Sequence, residues 1–290
     1  MSTIIQIPLN KRGIVSVSGE DTREFLQGLI TNDIEKVSET QTIYAALLTP
    51  QGKLLHDFFI VKYKNLFLLE CENAGIPNLI SRLSTYRLRA KVNITDETNK
   101  FAVSASFKPD SEELLGKVGS TAILSDGVSF IDPRHKALGE RTIRLIDGNK
   151  SLESGVTVLN KNLEAYETLR IMLGVPDSFI DLVPEKSMPL EVGFDELNGV
   201  DFEKGCYVGQ EVTARMKHRN LVKRRLFPIE FDGALSPGAV VKGGEIDVGT
   251  IYSVMSGRGL ALLRLEAVTK DRLWADGIQI KPRKPGWMTV

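Results

Sequence analysis

Two hydrophobic periods alternate along most of this chain, and that alternation restricts its fold more than any other feature. Strand-like runs occur at Ile14–Val17, which alternates, and at Ile43–Leu48, Leu54–Val61 and Leu66–Glu70, and runs of helical period follow the first and the last of them. Only Thr49 and the turn Pro50-Gln51-Gly52-Lys53 divide the second run from the third, too short a link for a parallel crossover, so these two form an antiparallel hairpin. Helices among mostly antiparallel connections give an α+β class rather than a doubly wound sheet. The first helix is expected to be capped by Asp21, with Glu24 completing a capping box. Its apolar face is Phe25, Leu26, Leu29 and Ile30, and it stops at Thr31-Asn32-Asp33. A second helix is expected over Ile76–Ala90, with Arg82, Arg87 and Arg89 towards its end, followed by a hairpin of Val92–Thr95 and Phe101–Ala105. A third, Asn162–Leu173, should close on a left-handed Gly174, with Pro176 beyond.

After Arg225 the texture changes to short strand-like runs, Leu226–Phe231, Gly249–Met255 and Leu260–Leu265, punctuated by glycine and proline. A small β-barrel or sandwich is expected there. The expected division is a body of two intertwined α+β subdomains over 1–222 and a small β-domain over 223–290. A chain of 290 residues is long enough for such a division.

Its 37 basic and 37 acidic residues cancel, so no global field draws it to nucleic acid or to an anionic membrane, and any anion site must be local. The N-terminal stretch lacks the basic start and long apolar run of a secretory signal, and no apolar run is long enough to span a bilayer. A cytoplasmic location is the resulting expectation. The two cysteines, Cys71 and Cys206, lie far apart without paired spacing, which argues against a disulfide scaffold and a self-contained cysteine metal site. A single bridge between them stays open. His56, His135 and His218 have no zinc-like spacing.

Chemistry concentrates in Lys204-Gly205-Cys206-Tyr207-Val208-Gly209-Gln210-Glu211. Glycines allow close backbone approach, and a lysine beside a thiol favours the reactive thiolate. If the stretch is extended, Lys204, Cys206 and Val208 share one face and Tyr207 takes the other. The alternative is a glycine-rich turn around a buried, inert cysteine. The run Arg215, Lys217, His218, Arg219, Lys223, Arg224 and Arg225 is the densest basic cluster, readable as a solvated face or as a site for an anionic tail or an acidic partner. It lacks the interleaved aromatics that RNA binding needs.

The eight-residue string, with Asp201-Phe202 before it and Thr213-Ala214-Arg215 after it, resembles the signature of the YgfZ-type, folate-binding relatives of the glycine-cleavage T-protein. The resemblance continues through Phe25-Leu26-Gln27-Gly28-Leu29, Thr31-Asn32-Asp33, Leu47–Lys53, Asp132-Pro133-Arg134 and Leu169-Arg170 with Gly174-Val175-Pro176. It is nearest to the mitochondrial-type branch. The resemblance implies a T-protein-like aminomethyltransferase fold and tetrahydrofolate as ligand. It also implies a role in making or repairing [4Fe–4S] proteins, with A-type cluster carriers as partners. Cys206 becomes the reactive or transient iron-ligating thiol and Lys204 the charge that tunes it, with Gly205, Tyr207, Gly209, Gln210 and Glu211 forming the pocket. Asn32, Asp33, Asp57, Arg134, Arg170 and Arg215 are the further binding candidates. No resident metal and no nucleic-acid or membrane partner is expected.

T-proteins carry paired aspartates where this chain has His56 and Asp57, with the catalytic register on Leu55 or His56, and an Arg-x-Glu-x-Gly pattern where it has Met172 between Arg170 and Gly174. Their Gly-Arg-Glu becomes Gly209-Gln210-Glu211. These departures argue against glycine-cleavage turnover. A folate-dependent one-carbon transferase or demethylase is the alternative function.

Overall fold

The structure, a computed structural model, describes residues 4–108, 116–146, 163–269 and 272–289. The chain forms two compact units. The first comprises Met1–Leu48, His56–Leu163 and Asn198–Val208, and the second Thr49–Leu55, Glu164–Leu197 and Gly209–Val290.

Along the first unit run β1 (Ile5–Pro8), β2 (Arg12–Ser18), α1 (Thr22–Gln27), β3 (Ile43–Leu48), β4 (Leu54–Tyr63), β5 (Leu66–Glu72), α2 (Ile76–Arg87), β6 (Asn93–Asp96), β7 (Phe101–Phe107), β8 (Thr121–Leu124), β9 (Gly127–Ile131) and β10 (Glu140–Leu145). They build two five-stranded sheets, ordered β1-β7-β10-β9-β8 and β3-β4-β5-β2-β6. The expected hairpin of β3 and β4 is present, and β4 and β5 are buried on both faces, as their nearly unbroken apolar sequences require. Phe59 of β4 and Phe130 of β9 meet at 5.7 Å between ring centroids, so the sheets share a core. Burying each such ring contributes about 1.5–3 kcal/mol.

Two local expectations give way. Asp21 does precede α1, but its carboxylate makes no cap and instead accepts the Lys91 N–H at 2.7 Å, a contact between residues 70 apart in sequence. The helix ends at Gln27, before Leu29 and Ile30, which remain buried in the following turn. Nor do β6 and β7 form a hairpin. β6 extends the second sheet by pairing with β2, Val17 opposite Ile94, while β7 sits between β1 and β10 in the first. Burial explains the separation. β7 alternates buried Phe101, Val103, Ala105 and Phe107 with less buried residues, whereas β6 is polar and mostly exposed, a composition suited to a sheet edge.

The second unit contains α3 (Leu163–Leu173), α4 (Gln210–His218) and strands β11 (Arg224–Phe231), β12 (Val240–Gly243), β13 (Ile246–Met255), β14 (Arg258–Arg264), β15 (Leu273–Ala275) and β16 (Ile278–Pro282). α3 stops at Gly174, in the left-handed region as expected (φ 73°), while Asn162 lies outside the described residues. The six strands close into a barrel ordered β11-β14-β13-β12-β15-β16, which resolves the choice between barrel and sandwich. Closure leaves no open edge. Phe227, Ile229, Val241, Ile251, Ala261, Leu263, Leu273 and Ile280 fill its core.

Candidate functional site

The loop carrying Cys206 is clamped to the end of α1. Thr31 Oγ1 donates to the Gly199 carbonyl (2.6 Å), Asp201 N–H to the Thr31 carbonyl (3.0 Å) and Val208 N–H to the Gly28 carbonyl (3.2 Å). At its centre the buried Lys204 Nζ donates to the carbonyls of Gln27 (2.8 Å), Ile30 (2.7 Å) and Asn32 (2.9 Å). A helix that ends leaves carbonyls without intrahelical partners, Gln27's among them, and here a lysine more than 170 residues away satisfies it together with two carbonyls of the turn that follows. All three ammonium protons are thereby committed. Burial, the larger influence, lowers Lys204 to about 8, opposed by the Asp33 and Asp201 carboxylates. The three carbonyls add to that opposition, since they accept best from the charged form.

This geometry corrects the extended-face expectation. Lys204 and Tyr207 both turn inward, Nζ lying 5.1 Å from the Tyr207 ring centroid, while Gly205 and Cys206 are exposed. The lysine's donors fasten the loop rather than reach the thiol. Cys206 is a free thiol at the surface, not buried in a turn, and Cys71 is free and buried in β5. Both being free, the open disulfide question closes against a bridge, and burial pushes the Cys71 thiol up to about 12. Gly205 is not required by packing: a Cβ there would meet nothing within 4 Å.

Asn32 belongs to the same clamp. Its Nδ2 donates to the carbonyls of Tyr44 (2.8 Å) and Asn198 (2.9 Å), and its Oδ1 accepts the Asp33 N–H (2.8 Å). Asp33 caps the next turn through the Glu35 N–H (3.1 Å) and accepts from Gln27 Nε2 (2.9 Å). The buried Asp57 accepts the Tyr44 hydroxyl at 3.0 Å. Burial and then Asp57 hold the Tyr44 proton well above its ordinary range, which keeps it a donor. His56 is lowered by burial and bonds Asn78 at 2.8 Å.

Arg134 is placed by a network that sequence reasoning missed. Its guanidinium pairs with Asp132 (2.8 Å) and lies 5.0 Å from the Phe59 ring centroid, while Arg141 bridges Asp132 (3.1 Å) and Glu70 (2.9 Å) 4.5 Å over the same ring. Arg12 also pairs with Glu70. Burial alone would raise Asp132, but Arg134 and Arg141 outweigh it and hold the carboxyl near 2. The one available signal was the odd presence of Glu70 within an apolar strand.

The remaining candidates lie in the second unit. Gly209, in the left-handed conformation (φ 84°), opens α4, with Gln210 half-buried and Glu211 and Arg215 exposed. Arg170 is buried, bound to Asp181 (2.7 Å), Ser253 (2.8 Å) and Glu167, while Met172 is exposed. The basic run is partly neutralised: Lys217 pairs with Asp195, Arg224 with Glu191 and Arg225 with Glu196.

Residues 7–147 match the GCVT N-terminal domain and residues 223–290 the CAF17 C-terminal beta-barrel domain. The chain is 32% identical, over 93% of its length and 75% of the relative's, to the iron–sulfur cluster assembly factor IBA57 homolog, mitochondrial, of Mycosarcoma maydis. It belongs to the IBA57 family. The mouse and human IBA57 proteins are likewise 32% identical, each over 90% of this chain and 77% of their own. All three are named mitochondrial, which overturns the cytoplasmic location expected from the N-terminal composition. In fold, this IBA57-family chain is similar to the glycine cleavage system aminomethyltransferase T of Bartonella henselae, with a TM-score of 0.80 over 99% of this chain and 87% of that one, at 14% identity. The T-protein-like architecture implied by the motifs is therefore present.

Proposed function

We propose that this chain is an iron–sulfur cluster assembly factor in which Cys206 supplies one thiolate to a cluster in transit. The observation that carries the proposal is an exposed thiol on a clamped loop beside a glycine that packing does not require. Gly205 and Cys206 are both exposed, so a partner can reach the sulfur. The chain has two cysteines and Cys71 is buried, so one thiol is accessible, whereas common clusters are held by four thiolates. Among the described residues no other group of metal-ligating side chains converges. The cluster is then shared: Cys206 releases its proton to solvent and its thiolate takes one iron position, while a partner of the A-type carrier class holds the others.

Tetrahydrofolate is proposed as the small-molecule ligand, with 1–222 as the folate-binding body and 223–290 as a separate barrel. The donor edge of a reduced pterin needs a carboxylate, and Asp57 fits, since one oxygen takes the Tyr44 hydroxyl and lone pairs remain. Met172 offers no acceptor. Bound folate would supply a one-carbon acceptor, and this chain's part is to hold it through Asp57, which the Tyr44 hydroxyl orients. Gly209, Gln210, Glu211, Arg170 and Arg215 are proposed binding residues of the second unit.

The deciding experiment measures [4Fe–4S] enzyme activity in deletion cells complemented with the wild type or Cys206→Ala. Recovery with Cys206→Ala equal to wild type ends the thiolate proposal. Calorimetry with tetrahydrofolate tests the ligand separately: binding that weakens in Asp57→Asn is expected, and no heat at millimolar folate rejects it.

A further inference from the structure

Helix α2 turns Ile76, Leu79 and Leu83 inward, and Arg82, Tyr86 and Arg87 lie exposed on its other sides. The helix ends on Leu88, at φ 45° and ψ −107°, with 88% of its surface exposed. A non-glycine residue held in so sparsely populated a region costs about 1–3 kcal/mol, and an exposed leucine forgoes the roughly 1.5–3 kcal/mol that burial would contribute. Fold stability alone thus gains nothing from leucine here.

The strain persists because the segment behind it is fixed. Lys91 donates its N–H to Asp21 and its Nζ to Glu20, each at 2.7 Å, and Val92 is buried. Gly19, at φ 124°, lies against this segment so closely that a Cβ would sit 2.0 Å from the Lys91 carbonyl oxygen. Pinned at its base, the turn holds Leu88 out beside a cavity of about 440 Å³ formed by residues 87–93 with Gly19 and Glu20. Arg87 and Arg89 flank the leucine, and among the described residues neither is in an ion pair. With Arg82 they make a local positive patch on a chain whose net charge is zero.

We propose that Tyr86–Lys91 is a docking knob for a folded protein partner that offers an apolar recess rimmed by carboxylates. Leu88 fills the recess and Arg87 and Arg89 meet the rim. An apolar anchor presented in fixed geometry loses little freedom on binding, and flanking arginines are the cations best suited to carboxylates. One tyrosine is no stacking platform for a nucleic-acid strand, and one leucine is too small an apolar face to hold a membrane surface. The knob lies apart from Cys206 in sequence and does not depend on the thiolate reading.

The test places photoreactive benzoylphenylalanine at Tyr86 of the full chain in cells, sequences the crosslinked peptide, and remakes the adduct from the two purified proteins. The expected result is an adduct to an acidic protein segment that falls at least tenfold in Leu88→Gly and in Arg87→Glu/Arg89→Glu, and that weakens as salt rises. Leu88→Gly relieves the backbone, so its melting temperature should equal or exceed that of the wild type. The proposal is overturned if the adduct is unchanged in Leu88→Gly, or no stronger than from a probe at the exposed Ile123. It is also overturned if RNA or phosphatidylserine vesicles prove to be what these variants release. Melting of Leu88→Gly several degrees below wild type would likewise overturn it, by showing that the leucine packs.

Discussion

Between the sheets of the first unit, Arg12, Glu70, Asp132, Arg134 and Arg141 are packed around Phe59, whereas the barrel of the second closes on Phe227, Ile251, Leu263 and Ile280. The difference is in how each core fails. A charge taken out of water is tolerable only while its partners remain, so the first core depends on specific pairs, while an apolar core depends mainly on filled volume. A like contrast separates Lys204 from Lys91. Lys204 is buried on three carbonyls and fixes a loop, while Lys91 is exposed and pairs with Glu20 at the surface.

The comparison is sharpest at Arg141. Replacing it by Met strips a partner from both Glu70 and Asp132, and should cost about 3–5 kcal/mol in a denaturant titration. Leu263→Ala in the barrel should cost about 3 kcal/mol through lost volume. If Arg141→Met proves the milder of the two, the contrast between the cores fails.

Next in size is Lys204→Met, which keeps the length of the side chain but leaves three carbonyls without their donor. About 2–3 kcal/mol of destabilisation is expected, with faster amide exchange over residues 27–33. Unchanged exchange there would mean that the loop is held by its other contacts.

Acid should act on the first core selectively. The Asp132 carboxyl sits near 2 in the folded protein against an ordinary 3.8, so its contribution is fully present above about 4 and is lost as pH falls through 2. The difference corresponds to about 2 kcal/mol. Asp132→Asn, whatever it costs at neutral pH, should flatten that part of the stability profile, and a slope as steep as wild type between pH 4 and 2 would exclude Asp132 as its source.

The smallest effect on stability is expected at the thiol itself. Cys206→Ala should change the unfolding free energy by about 1 kcal/mol or less, because the side chain is exposed. In the native protein Cys206 should react with a maleimide while Cys71, buried and raised to about 12, does not. Faster labelling at Cys71 would reverse their assignment.

Much of this architecture is legible in the chain. Local periodicity marks the β3–β4 hairpin, Gly174 marks the end of α3, and the Gly-rich string around Cys206 marks the candidate thiol, because turns, helix stops and motifs are written in neighbouring residues. Composition was a poorer guide to location: a neutral N-terminus without a secretory signal suggested the cytoplasm, and the mitochondrial relatives contradict it.

What sequence determined by itself was part of the element set, β2 to β7, α1 to α3 and three of the barrel strands, and a candidate thiol. Tertiary structure decided who their partners are. Asp21 has the spacing of a helix cap, yet its carboxylate goes to Lys91 because the turn after α2 brings that N–H within 2.7 Å. β6 and β7 are adjacent in sequence but join different sheets, since one exposes its residues and the other buries alternate ones. Lys204 sits two residues from Cys206, yet its protons go to Gln27, Ile30 and Asn32. The physical reason is common to all three: local pattern sets backbone conformation and burial tendency, whereas hydrogen bonds and ion pairs form with whatever groups the folded chain brings within about 3 Å.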